Sequence, residues 1–116
     1  MSELGDKQRR FARSIAKLII FGTEELAEEL ELDIQFTTGD FWRPDRRGHH
    51  PESTHYEKLA GDLNLFVNGK YIAAYDQAPE VWDRLGAFWK AQDVMARWGG
   101  DFGDFNHFSF EHQGVA

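Results

Sequence analysis

Apolar side chains at Phe11, Ile15, Leu18, Gly22 and Leu26 recur at three- and four-residue steps, the period of a helix with one face on a core. Gly22-Thr23 interrupts this stretch: Thr23 is placed to cap a second helical segment whose first turn holds Glu24 and Glu25. The acidic positions Glu24, Glu25, Glu28, Glu29 and Glu31 read as its solvated face. Beyond it the period falls to two. Leu32, Ile34 and Phe36 alternate with Asp33, Gln35 and Thr37, which predicts a half-buried strand. From Thr38 to Thr54 periodicity is lost among two prolines, two glycines and six charged residues, so a long loop is expected.

Leu59 to Ala74 reads as a hairpin, with Leu63, Leu65 and Val67 alternating, Asn68-Gly69 turning the chain and Tyr71-Ile72-Ala73 returning. Asp62 and Asn64 then lie opposite the apolar side of the first strand, pointing toward a cleft. Pro79 opens a second helix with Val81, Trp82, Leu85, Phe88, Trp89, Met95 and Ala96 on its buried side, and Gly99-Gly100 ends it. His107-Phe108-Ser109-Phe110 alternates once more, sending both phenylalanines to the core and His107 with Ser109 to the other face. The expectation is one α+β domain over residues 1–116, with helices on one side of a small, mainly antiparallel sheet.

Composition narrows the classes. At 116 residues, 41% hydrophobic and 15% aromatic, the chain supports one core and little more. It has no cysteine, so no disulfide framework contributes. A net charge of -7 argues against a nucleic-acid or anionic-membrane binder, since such affinity comes from clustered Lys and Arg. Arg9, Arg10 and Arg13 ahead of Ile15, Leu18, Ile19 and Ile20 resemble the start of a signal peptide. Lys17 interrupts that apolar run and no small-residue cleavage site follows. Neither export nor stable membrane insertion is expected, and the chain is read as a monomer made in the cytoplasm.

The chemistry concentrates in two motifs, Ser53-Thr54-His55 running to Asp62, and Asp104-Phe105-Asn106-His107. Two imidazoles, one carboxylate and a spare acid are the ligand set and base of a catalytic zinc site. Structural zinc sites are closed by four protein ligands, often thiolates; three ligands leave a position for water. Trp42 and Trp98 flank these segments and are candidates for an apolar wall contacting substrate, with Ser53 as a local orienting group. Asp101, also acidic and close to His107, is a second candidate for the base; Asp104 is preferred for its three-residue offset, leaving Asp101 a structural role beside Gly100, and His49, His50 and His112 read as surface residues.

Ser53-Thr54-His55, Leu59-Ala60-Gly61-Asp62-Leu63-Asn64-Leu65-Phe66, Trp98-Gly99-Gly100-Asp101-Phe102 and Asp104-Phe105-Asn106-His107-Phe108 together resemble the zinc D-alanyl-D-alanine carboxypeptidase and L-alanyl-D-glutamate peptidase family, particularly its short phage-encoded members. That family carries a Ser-x-His, an Asp seven residues after the His and an Asp-x-x-His near the C-terminus, all present here. The resemblance implies a Hedgehog/DD-peptidase-like fold, Zn2+ held by His55, Asp62 and His107, and Asp104 as general base. It also implies that Arg43, in Gly39-Asp40-Phe41-Trp42-Arg43-Pro44, stabilises the oxyanion; Arg46 and Arg47 stand close to it. The implied substrate is the stem peptide of bacterial peptidoglycan, cut between L-alanine and D-glutamate or, alternatively, at the terminal D-alanine. A phage-encoded enzyme of this endolysin type would act on the host cell wall. Readings of another class are a non-catalytic zinc module, and a binding protein whose Arg43, Arg46, Arg47, His49 and His50 form an anion-recognising loop.

Overall fold

The structure is a computed structural model that describes residues 3–41, 58–112 and 114–116. Helix α1 (Glu3–Ile20) buries Phe11, Ile15 and Leu18 along the stripe read from the sequence. The helix does not break at Gly22-Thr23. It continues through a wider π turn, Phe21–Leu26, into α2 (Ala27–Leu30). Two contacts explain this. The Thr23 hydroxyl donates to Ile19 O at 2.8 Å, inside the helix, and so does not cap a new one. Gly22 lets Phe36 and Leu85 pack on the helix backbone, since a Cβ there would stand 2.8 Å from the Phe36 ring.

Strand β1 (Ile34–Thr38) pairs antiparallel with β2 (Ala60–Val67), whose Asn68-Gly69 turn, both residues at positive φ, returns the chain as β3 (Lys70–Tyr71). Helix α3 (Pro79–Gln92) buries Val81, Trp82, Leu85 and Trp89, with Phe88 half-buried. It ends at Gln92, short of the expected Gly99-Gly100. Asp93 takes an extended backbone and accepts from the Met95 amide at 2.9 Å, which turns the chain. Met95 and Ala96 therefore leave the helix, and Ala96 opens β4 (Ala96–Trp98), paired with β5 (His107–Phe110). Ala96 still reaches the core, opposite Phe110.

The strands form one sheet in the order β1-β2-β5-β4, with β3 also on β2, and every pair is antiparallel. The fold is a single α+β domain. Phe11, Trp89, Phe108 and Phe110 meet in edge-on and tilted ring contacts between the helices and the sheet. Arg10 ties α1 to the α3–β4 turn through Asp93 at 3.1 Å. Burial opposes ionisation of Asp93. The Met95 amide and the Arg10 guanidinium outweigh it and hold the carboxyl below its usual range. Among the described residues, no helix is long and apolar enough to cross a membrane.

Candidate active site

Asp62 and His107 are direct cross-strand partners in the β2–β5 ladder. Partners in an antiparallel pair project to the same face, so register alone sets the carboxylate beside the imidazole. Leu63, Leu65, Phe108 and Phe110 take the opposite, core-facing side. Asp62 Oδ1 lies 3.4 Å from His107 Nδ1, with the side chains 20% and 7% exposed. A charge-assisted hydrogen bond between such groups is shorter, about 2.7–2.9 Å. The separation is that of a loose His–carboxylate contact, and it is also close to the about 3.3–3.4 Å that two donors with bonds of about 2.0–2.1 Å to one tetrahedral zinc would span. On this test the donor pair fits the ion. No cluster of three or more ligating side chains lies among the described residues.

Asp62 is fixed by its backbone from the β1 edge of its strand. Its carbonyl accepts from Gly39 N at 2.7 Å and its amide donates to Asp40 O at 3.0 Å, so two residues after β1 oppose one on β2. This is the two-against-one pairing of a β-bulge, a device that re-aims side chains beside sites.

Asp104 begins the turn that delivers His107, which donates its amide to Asp104 O at 3.1 Å. Asp104 is exposed. Two features seat this turn. Asp104 N donates to Gly99 O at 2.8 Å, and Gly99 lies so close that a Cβ there would be 2.0 Å from Asp104 O. The Trp98 indole donates to Phe105 O at 2.8 Å while its ring lies against Gly86 and Gly100. Trp98 is thus 7% exposed and steadies the segment between the two site residues. Asp101 points the other way, paired with Lys90 at 3.0 Å.

Phe102 had no role assigned from sequence. It is 56% exposed, with its ring edge-on to His107 at 5.9 Å. Its position in Trp98-Gly99-Gly100-Asp101-Phe102 was visible, but an isolated Phe between polar residues carries no periodic signal. Trp42, Arg43, Ser53 and His55 lie outside the described residues. No protein-family model matches the chain, and no curated protein matches it at a significant level.

Proposed function

We propose that this chain is a zinc-dependent peptidase acting on the peptidoglycan stem peptide, with the L-alanyl-D-glutamate bond as first choice and the terminal D-alanyl-D-alanine bond as alternative. The observation that carries the reading is the Asp62–His107 pair, 3.4 Å apart on neighbouring strands, with Asp104 in the turn directly before His107. The sheet with helices on one face and this pair on the other also supports a Hedgehog/DD-peptidase-like arrangement.

Asp62 and His107 would supply two ligands, and His55 completes the motif from the sequence. When bound, zinc lowers the pKa of water and polarises a carbonyl. The protein's own groups do the rest. Asp104 takes the proton of the attacking water as its oxygen bonds to the carbonyl carbon. It returns that proton to the nitrogen as the C–N bond breaks, so a carboxylic acid and an amine leave. Arg43 offers the oxyanion a planar, permanently charged fork. Phe102 would line the cleft beside His107 with apolar surface.

Alanine at Asp104 tests this. Turnover of stem peptide should fall at least about a hundredfold while the protein still binds one zinc, because the carboxylate moves a proton and leaves ligation intact. Unchanged turnover would remove Asp104 from the chemistry. No turnover in the parent protein, with zinc bound, would favour the non-catalytic zinc module.

A further inference from the structure

The sheet face that carries Asp62 and His107 is closed in one direction and open in the other. Toward the start of β2, the next positions on that face are Ala60 and its partner Ser109, both fully buried. Toward its end the face continues through Asn64 to Phe66, with Thr37 and Gln35 beside them on β1 and Tyr71 beside Phe66 on β3. Thr37, Gln35 and Tyr71 are exposed, and Asn64 and Phe66 are half-buried. A substrate that extends beyond the Asp62–His107 pair has this lane to lie in.

Two features give the lane a chemical character. None of its five side chains is Asp, Glu, Lys or Arg, in a chain of which 28% are. Its far end is a pair of rings, Phe66 and Tyr71, with centroids 5.5 Å apart and an interplanar angle of 46°. As cross-strand neighbours they brace the hairpin through the sides they turn to each other. Tyr71 nonetheless remains 51% exposed, so aromatic surface is left over for a ligand. Gln35 is the β1 partner of Phe66, which puts an amide on one side of the rings and the Tyr71 phenol on the other.

We propose that Phe66 and Tyr71 form a platform for the amino sugars of the wall glycan, holding the strand while its stem peptide lies at Asp62 and His107. The proposal rests on the stem-peptide reading and adds the part of the substrate that positions the peptide. A pyranose ring has a face of C–H groups and a rim of hydroxyl and N-acetyl groups, which match an aromatic surface flanked by an amide and a phenol. Its neutrality suits the uncharged lane. The reach also agrees. Phe66 lies four residues from Asp62, about 13 Å along the strand. In the substrate, L-alanine and the lactyl group separate the scissile carbonyl from the first sugar by two backbone-like units, about 7 Å. The remaining length brings the rings under the first sugars of the strand.

The test compares two ligands by NMR titration of zinc-loaded Asp104→Ala protein: L-alanyl-γ-D-glutamyl-L-lysine, and the same peptide carrying its N-acetylglucosaminyl-N-acetylmuramyl disaccharide. The disaccharide form should bind about tenfold more tightly and shift the ring signals of Phe66 and Tyr71. Adding Tyr71→Ala should remove that advantage without weakening the bare peptide, and Tyr71→Phe should retain it. If both ligands move His107 equally and Tyr71→Ala changes neither affinity, the platform is wrong and the peptidase reading stands. If the disaccharide form moves the Phe66 and Tyr71 rings while the parent protein cuts no stem peptide, the platform stands and the peptidase reading falls. Silence toward both ligands at millimolar concentration would overturn the two together.

Discussion

Replacing Gly99 by alanine would set a methyl carbon 2.0 Å from Asp104 O and 2.7 Å from His107 Cβ. Both distances are far inside van der Waals contact, and the first neighbour is backbone, which cannot rotate away. The Asp104–His107 turn would have to move by an ångström or more. Overpacking of this kind costs about 1–3 kcal/mol. Gly99 does not have positive φ, so alanine suits its backbone and, by restricting the unfolded chain, contributes about 0.4–1 kcal/mol in the opposite sense. The net expectation is a loss of about 1–2 kcal/mol, seen as a Tm lower by roughly 4–8 °C at this chain length. Zinc affinity should fall too, because the displaced turn carries one proposed ligand. Thermal denaturation with a parallel zinc titration measures both. A Tm equal to or above that of the parent, with undiminished zinc binding, would refute the contact and with it the seating of the turn.

Zinc itself should stabilise the protein: at a hundredfold excess over Kd it adds about 2.7 kcal/mol, or a Tm rise of about 10 °C, reversed by a chelator. Asp62→Ala or His107→Ala should abolish that rise, and an unaltered response in either variant would exclude the residue as a ligand. Asp93 sets an acid limit. Because its folded carboxyl is held below the usual range, its contribution is present above the unfolded value near pH 4 and lost as pH falls through the folded one. Asp93→Asn should therefore lower the urea midpoint at pH 7 and differ less from the parent at pH 3; an equal deficit at both would show that the charge contributes nothing.

The elements with a sustained period were legible. Leu63 to Val67 with Asn68-Gly69, and His107 to Phe110, take the form their spacing predicts, and Phe11 to Leu26 is helical as its period predicts but without the expected break at Gly22-Thr23. What failed depended on distant partners. Ala96-Arg97-Trp98 is too short to show alternation, and its strand character comes from pairing with Phe110, Ser109 and Phe108. The helix before it stops because the Asp93 side chain captures a backbone amide, a choice that Arg10, 83 residues away in sequence, reinforces. The continuity at Gly22-Thr23 likewise needs Phe36 and Leu85 pressed on the helix. In the site, Asp62, Asp104 and His107 were visible as residue types at suggestive spacings. Asp62 and His107 meet through the β2–β5 register, and the turn that carries Asp104 is seated by Gly99 and Trp98, whose contributions are a missing side chain and a single indole hydrogen bond.

Mass spectrometry of purified peptidoglycan incubated with the protein, with and without chelator, reads zinc-dependent cleavage of the stem peptide from the termini it creates. New D-glutamate amino termini that disappear on chelation would establish the L-alanyl-D-glutamate cleavage expected here, and free D-alanine would move the cut to the other bond. Peptidoglycan left without new termini by the zinc-loaded protein, across wall types, would contradict the account.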